Sequence, residues 1–566
     1  MSFFSPITHR SPSVKALYVS VYALLAAGAL TMLIPLLVSV SGSMAGPYEA
    51  EPITFYPRFL GDDHALWTRY AEARYGGVIE NFKMAWGDES VDFYEVAWPP
   101  EGTEAANREL WREFRAGREP LRLDQAGLAN TRAAKRDAAL ENDRFRSWLL
   151  HRYGGLAQVN EALDIEAVRP GSILPPIQNR ILLPDVSTPF SRAFGEYVRT
   201  VPEARRLIWD VGGFYRAVYL PRTYGGNIAN YNAAFGTAWT SFGDVPFPAT
   251  VPAVGGEPWY QFVRRILNAA FVEFSPEGNA AWQASGLAKV DFLRKNALPE
   301  HLRVVSLDRE FAQWAQARGV EDARIPQRAL DFEDFQANKN FWRWQFASQN
   351  FRYVIQEVLI QGNGVRNTAI LVVLSILSAL TVNPMAAYAL SRFKLPQSYQ
   401  VLLFFLATIA FPAEVAMIPS FLQIKELGMI NTFGALVIPG MVNGFSIFLL
   451  KGFFDSLPKE LYEAADIDGA SEWQIFWGIT MNLSKPILAV IALGAFTGAY
   501  GAFMFALILA PDPSMWTLMV WIYQLQQGAG SGIVYASILL TAVPTVVVYL
   551  CTQNIIMRGI IVPSDK

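Results

Sequence analysis

The chain is nearly bare of the residues that carry covalent or metal chemistry. Its one cysteine, Cys551, falls in an apolar run, so no intrachain disulfide can form. Four histidines, His9, His64, His151 and His301, are scattered without metal-ligand spacing, which speaks against a metal site. No glycine-rich GxxxxGK segment followed by serine or threonine occurs, so the loop that cradles nucleotide phosphates is missing. No block of lysine and arginine marks a nucleic-acid surface, and a formal charge of -3 points to no partner.

What is abundant is apolar sequence, at 52% of 566 residues, and it is concentrated at the two ends. Residues 42–352 are of ordinary mixed polarity and hold most of the charge and tryptophan. At roughly 310 residues this segment is long enough to stand on its own core. A membrane helix needs about 20 mostly apolar residues. Six segments qualify: 16–41, 367–391, 399–423, 433–453, 486–510 and 533–557. The apolar part of the first is too long for a secretory signal, so it reads as a retained helix. This gives three regions: 1–41 with the first span, a large polar domain at 42–352, and a membrane core at 353–566.

Basic residues set the orientation. Arg10 and Lys15 precede the first span, Arg392 and Lys394 follow the second, and Lys451, Lys459 and Lys485 bracket the loop at 454–485, with Arg558 after the last span. The positive-inside rule then places both termini and the 454–485 loop in the cytoplasm, and 42–352 outside, in the periplasm of a bacterial inner membrane. Pro35, Pro384, Pro412, Pro419, Pro439 and Pro544 lie inside the expected spans, where each removes a backbone donor and favours a kink. Kinked helices of this kind either pack irregularly or line a path that opens to alternate sides.

The 454–485 loop is too polar for lipid and rich in small residues that let a partner approach closely. Leu457-Pro458-Lys459-Glu460-Leu461-Tyr462-Glu463-Ala464-Ala465 reads as a helix start, with proline in the first turn and acids early. Gly469 can end that helix in a left-handed conformation, and Ser471 can cap the next, with Glu472 in its first turn.

This stretch, Glu463-Ala464-Ala465-Asp466-Ile467-Asp468-Gly469-Ala470-Ser471, resembles the "EAA" loop of ABC-type importer permeases. Further matches are Arg366-Asn367-Thr368, Ala386-Ala387-Tyr388-Ala389-Leu390-Ser391-Arg392-Phe393, Leu427-Gly428-Met429-Ile430-Asn431-Thr432 and Lys485-Pro486. The chain is identified as similar to the maltose-type second permease subunit over the first span and from about Asn350 onward. The resemblance implies an all-α polytopic membrane protein of the type I ABC importer permease fold, with six transmembrane helices and no chemistry of its own. It implies a second permease subunit, two ATPase subunits and a periplasmic solute-binding protein as partners, with ATP and magnesium held by the ATPases and no cofactor on this chain. It assigns ATPase coupling to Glu463, Ala464, Ala465, Asp468, Gly469, Ala470 and Ser471. Candidates for the translocation path are Tyr500, Gly501, Phe503, Pro412 and Pro439. Two departures stand out: Asn482 where the family usually has proline, and Tyr500-Gly501-Ala502 where it often has Trp-Asn-Asp. The second puts a conventional sugar contact there in doubt and leaves a non-sugar solute open.

The 42–352 insertion is much larger than the family's usual segment and contains a repeat. Tyr75-Gly76-Gly77 through Trp86-Gly87 aligns without gaps on Tyr224-Gly225-Gly226 through Phe235-Gly236, and Pro99 falls on Pro248. A weaker copy starts at Tyr153-Gly154-Gly155. Each reads as a helix, a Tyr-Gly-Gly stop, and a second short helix, giving a mainly helical extracytoplasmic domain. The aromatic residues Tyr75, Trp86, Tyr224 and Phe235 either fill the cores of helical hairpins or present platforms to a sugar or protein. A glycan-processing enzyme domain would need two facing carboxylates among acids such as Asp62, Asp63, Glu101, Glu104, Asp331, Glu333 and Asp334, which read better as solvated surface.

Overall fold

A computed structural model describes residues 12–46, 54–87, 92–93, 96–98, 103–128, 140–167, 170–176, 180–182, 187–321, 323–360, 362–393, 396–409 and 412–559. His9, Arg10, Pro99, Glu101 and Lys394 lie outside them, as do the side chains of Glu104 and Arg558. The chain is mostly helical and forms two compact units. One joins Met1–Ser43 to Asn350–Lys566, and the other is Met44–Gln349. The first unit begins with α1 (Pro12–Gly42), an apolar helix whose surface is exposed along most of its length.

The Met44–Gln349 unit is built around the repeat. α2 (Asp63–Arg74) starts where the Asp62 carboxylate accepts the His64 N–H at 2.8 Å, and stops at Tyr75 because Gly76 and Gly77 turn left-handed at φ 65° and 67°. α3 (Ile79–Trp86) follows and ends at Gly87. α4 (Thr103–Arg115), α5 (Leu140–Tyr153) and α6 (Leu156–Leu163) come next. A helical run opens with α7 (Val211–Phe214) and continues through a wider turn at Tyr215–Tyr219 to Thr223. Gly225 and Gly226 then repeat the turn at φ 66° and 72°, and Asn227 caps α8 (Ile228–Phe235). Two small antiparallel pairs interrupt the helical pattern: β1 (Ala126–Gly127) with β2 (Leu207–Ile208), and β3 (Val272–Phe274) with β4 (Leu302–Val304). α9 (Leu307–Gln316) and α10 (Gln327–Ala337) complete the elements used below.

The core is aromatic. Trp67, Trp209, Trp259, Tyr75, Tyr215, Phe82 and Phe262 are all fully buried, each worth about 1.5–3 kcal/mol of transfer free energy. α3 meets α7 so closely that a Cβ at Gly213 would lie 2.2 Å from the Met84 carbonyl oxygen, so only glycine fits there.

The start of α7 carries two buried carboxylates. Asp210 accepts the Gly213 N–H at 2.6 Å, while Asp308 on α9 accepts those of Val211 and Gly212 at 3.3 and 3.2 Å. Burial first, and then the Asp308 carboxylate, push Asp210 up to about 6, against the pull of Arg216 and Arg309. The folded state therefore binds this proton more tightly than the unfolded chain. Stability should fall as pH rises from about 4 to about 6 and level off above. Asp210→Asn keeps the cap acceptor and should remove that part of the slope. Thermal unfolding of both proteins at pH 4 and pH 7 checks it: identical pH dependence contradicts the assignment.

In the other unit, three helices among the described residues are long and apolar enough to cross a membrane: Lys15–Gly42, Gly364–Arg392 and Ser531–Gln553. These belong to α1, to α11 (Gly364–Arg392) and to the last helix. The intervening apolar runs are broken. The 399–423 run divides into α12 (Ser398–Ile409) and α13 (Ala413–Glu426), with Pro412 as the extended N-cap of the second. The 433–453 run divides into α14 (Phe433–Val437), a 3₁₀ turn at Ile438–Gly440, and α15 (Gly444–Asp455), bent by 51°. Beyond it lie the hairpin helices α16 (Lys459–Ile467) and α17 (Glu472–Ile475). Next is α18 (Lys485–Tyr500), turned 83° from the preceding Glu472–Leu483 segment. The 486–510 run does not stay one helix either: α18 stops at Tyr500 and α19 (Met504–Leu509) follows. α20 (Leu518–Gln526) and α21 (Ser531–Gly559) close the unit.

Candidate functional site

The hairpin of α16 and α17 is shaped by its own sequence. Pro458 precedes α16 and Glu460 sits in its first turn. At the far end the Ala470 N–H reaches the Ala465 carbonyl at 3.0 Å and the Gly469 N–H reaches Asp466 at 3.2 Å, with Gly469 at φ 78°. This is the Schellman pattern, in which a left-handed glycine lets the last carbonyls find donors. Ser471 then starts α17 by a reciprocal box: its N–H gives to Gln474 Oε1 at 2.7 Å and its Oγ accepts the Gln474 N–H at 3.4 Å.

The end of α11 ties the hairpin down. Tyr388 and Arg392, one helical turn apart, point to its two arms. The Tyr388 hydroxyl donates to Glu472 Oε2 at 2.5 Å, and Arg392 Nη2 donates to Asp466 Oδ2 at 2.7 Å. The same guanidinium lies 4.7 Å over the Tyr462 ring. Beneath them Tyr388, Phe454, Tyr462, Ala465, Ile475 and Phe476 form one buried cluster. Of the candidate coupling residues, Ala465 therefore faces inward, Ala470 is half-buried, and Glu463, Ala464, Asp468, Gly469 and Ser471 are exposed. Beside them, Ile467 is 86% exposed and Trp473 is 63% exposed, an apolar surface that the sequence reading did not single out. Asn482, the departure from the family pattern, donates to the Gly478 carbonyl at 2.8 Å and sits in helix. The sharp turn comes two residues later, at Ser484.

A cavity of about 480 Å³ lies between α11, α14, α15 and α18. Its walls are uncharged and mostly apolar, with Leu371, Phe445, Leu449 and Phe505 among them, and Ser375, Ser378, Ser446, Asn383 and Asn443 supply the polar part. Asn383 repairs the break before α15. Its Oδ1 accepts the Asn443 N–H at 2.8 Å and its Nδ2 donates to the Met441 carbonyl at 3.3 Å, so backbone groups freed near Pro439 are satisfied inside the bundle. The five path candidates are not in this lining, although their neighbours Gly440, Ala499 and Ala502 are. Tyr500 is buried and gives its hydroxyl to the Thr541 carbonyl at 2.7 Å. Gly501 ends α18, and the Phe503 ring packs 5.0 Å from Tyr523. Pro412 and Pro439 mark helix breaks.

In the Met44–Gln349 unit the two full repeats hold the same ring geometry. Tyr75 meets Phe82 and Trp86 edge-on at 5.8 Å each, and Tyr224 meets Tyr231 and Phe235 edge-on at 5.2 and 6.0 Å. The third copy differs, because α6 begins one residue earlier and Gly155 sits at φ 149°. Of the two alternatives Tyr75 takes the core, wholly buried and hydrogen-bonded to Asp331, and offers no platform. Burial and that carboxylate push its hydroxyl well above the usual tyrosine value, so it stays a donor. Trp86, half-buried, gives its Nε1–H to the same carboxylate at 3.0 Å, while Tyr224 and Phe235 remain half-buried near the surface. Asp331 also corrects the reading of surface acids, since it is only 1% exposed.

Residues 372–558 match the family described as binding-protein-dependent transport system inner membrane component. The diacetylchitobiose uptake system permease protein NgcG of Streptomyces coelicolor is 32% identical over 198 residues, which are 33% of this chain and 64% of that one. The sn-glycerol-3-phosphate transport system permease protein UgpE of Yersinia enterocolitica is 30% identical over 191 residues, 33% of this chain and 68% of its own. Among solved structures, a bacterial ABC transporter involved in the import of the acidic polysaccharide alginate is 26% identical with a TM-score of 0.33, covering 36% of this chain and 78% of that one. A membrane transport subunit is thus the class that the helices and the relatives define. The chain belongs to the family of binding-protein-dependent transport system inner membrane components. It spans just under two thirds of the length of NgcG.

Proposed function

We propose that this chain is the permease subunit of an ABC importer for a neutral oligosaccharide. The observation that carries the reading is the capped α16–α17 hairpin, which presents Glu463, Asp468, Ile467 and Trp473 outward while Tyr388 and Arg392 fasten it to a membrane helix. A protein pushing on that surface would move α11 directly, because the clamp and the buried cluster leave little slack. The partners are then two ATPase subunits, a second permease and a solute-binding protein. ATP and magnesium are held by the ATPases, and this chain carries no cofactor and hydrolyses nothing. The broken apolar runs each count as one crossing, giving six, with the breaks at Pro412, Pro439 and Gly501 as the joints. Both termini and the hairpin are cytoplasmic, and the Met44–Gln349 unit is periplasmic.

The solute class draws on the relatives and on the cavity. NgcG is named for diacetylchitobiose and UgpE for sn-glycerol-3-phosphate. A mainly apolar cavity with a few serine and asparagine side chains and no charged one suits a neutral sugar better than a phosphate ester. In a reconstituted complex, neutral oligosaccharide with its binding protein should stimulate ATP hydrolysis, and glycerol phosphate should not. Stimulation by the phosphate alone would reverse the choice of solute, and failure of any ATPase to co-purify would end the importer reading.

A further inference from the structure

The Met44–Gln349 unit contains a second cavity, of about 600 Å³, between the end of α4, the turn at Glu203–Arg205 with β2, and α10. Its polar walls are planar groups already joined in pairs. Arg112 Nη2 grips both Glu333 oxygens at 2.6 and 2.7 Å, and Arg115 Nη2 grips those of Glu203 at 3.1 and 3.2 Å. Asp334 accepts the Tyr70 hydroxyl at 3.0 Å and the Asn338 amide at 3.0 Å. Two groups are left over. Gln327 is 4% exposed and gives its Nε2 to Asp331 at 2.9 Å, but its Oε1 accepts nothing among the described residues. Arg115 Nε, also buried, donates to nothing among them. Leu330, Ile208 and Trp111 supply the apolar part of the lining.

We propose that this cavity binds one or two rings of a neutral oligosaccharide. The volume lies in the range of small-molecule sites. Carboxylate, guanidinium and amide groups offer coplanar donors and acceptors, which is what a sugar's adjacent hydroxyls require, since each hydroxyl both gives and accepts. An ionic ligand would have to compete with ion pairs already made, whereas hydroxyls can add to them without separating charge. Gln327 and Arg115 border the cavity, and their unpaired atoms, Gln327 Oε1 and Arg115 Nε, lie closed off behind its surface. Glu203, Glu333 and Asp334 are each committed to a partner, so the arrangement favours binding over glycoside cleavage, which needs one free acid and one free base or nucleophile. The choice of sugar as the ligand class rests on the importer reading. The site itself rests on the cavity and the paired polar side chains that line it.

The test is isothermal titration of the full chain in lipid nanodiscs with N,N′-diacetylchitobiose and with β-1,4-galactobiose, using sn-glycerol 3-phosphate as the anionic control. At least one disaccharide should bind at or below about 1 mM. Asn338→Ala and Glu333→Ala should each weaken that binding by about tenfold or more while the unfolding temperature holds. Hydrogen exchange should slow in 327–338 and around 203–208 when the sugar is present. No binding by either disaccharide, binding unchanged in both variants, or preference for the phosphate ester would overturn the site. If binding is seen but sugar never stimulates the ATPase complex, the importer reading fails and the site stands. If stimulation is seen without binding here, the reverse holds.

Discussion

Replacing Asp331 by alanine unfolds the Met44–Gln349 unit or brings it to the edge of unfolding. The carboxylate lies on α10, and four donors converge on it: the Tyr75 hydroxyl, Trp86 Nε1 at 3.0 Å, Arg74 Nε at 3.2 Å and Gln327 Nε2 at 2.9 Å. It therefore joins the first Tyr-Gly-Gly turn, the end of α3 and α10 at one buried point. Removing it strands three neutral donors and leaves the Arg74 guanidinium without its counter-ion, held only by the carbonyls of Ala204, Arg205 and Arg206, and loss of one partner from a buried ion pair costs about 3–5 kcal/mol. That is a large share of the stability of an ordinary domain. Asp331→Asn should fall between alanine and wild type, because one oxygen remains to accept while the charge facing Arg74 is gone. Tyr75→Phe should cost only about 1.5–3 kcal/mol, the worth of one hydrogen bond to a charged group. Urea unfolding read by tryptophan fluorescence would order the three variants, and an Asp331→Ala protein as stable as Tyr75→Phe would refute the account of this core.

Charge reversal at Glu463 abolishes coupled transport and leaves the chain folded and inserted. Glu463 is exposed on α16 and makes no hydrogen bond or ion pair among the described residues. Its replacement by lysine therefore breaks nothing inside the hairpin, and the effect falls on whatever docks there. The contrast is Asp466→Asn, which removes the 2.7 Å pair with Arg392 and should loosen the link to α11 while leaving docking intact. In the reconstituted complex, Glu463→Lys should fail to retain the ATPase. Asp466→Asn should retain it but hydrolyse ATP with less sugar moved per ATP. Gly469 behaves differently from both. A Cβ there meets open space, so Gly469→Trp opposes the left-handed turn and the docking partner rather than the chain's own packing.

Features set by neighbours in the chain were legible in the sequence. Gly469 and Ser471 act within a few residues of themselves, so their spacing predicts the two caps that the hairpin shows. The Tyr-Gly-Gly repeats were legible for the same reason, since paired left-handed glycines need no distant partner. The sequence leaves Tyr75 open between core and platform because its partner, Asp331, is 256 residues away, and no local pattern distinguishes the two. Asn383 was missed for a similar reason: it serves a break 58 to 60 residues downstream. Tyr388 and Arg392 offered a signal that went unused, because polar residues one turn apart at a helix end have a common target. Hydropathy found the apolar runs but not their breaks. It averages over Pro412, Pro439 and Gly501, whose backbone geometry decides where each helix stops.

The central claim is that the hairpin faces the cytoplasm and is held there by an ATPase. Ile467→Cys in a Cys551→Ser background places one thiol on the most exposed apolar position of the hairpin. Treated with a bifunctional maleimide, inverted membrane vesicles should give a cross-link from this thiol to the ATPase subunit. An impermeant maleimide should label it in those vesicles and not in spheroplasts. Labelling from the spheroplast side, with no cross-link to an ATPase, would contradict both the orientation and the docking.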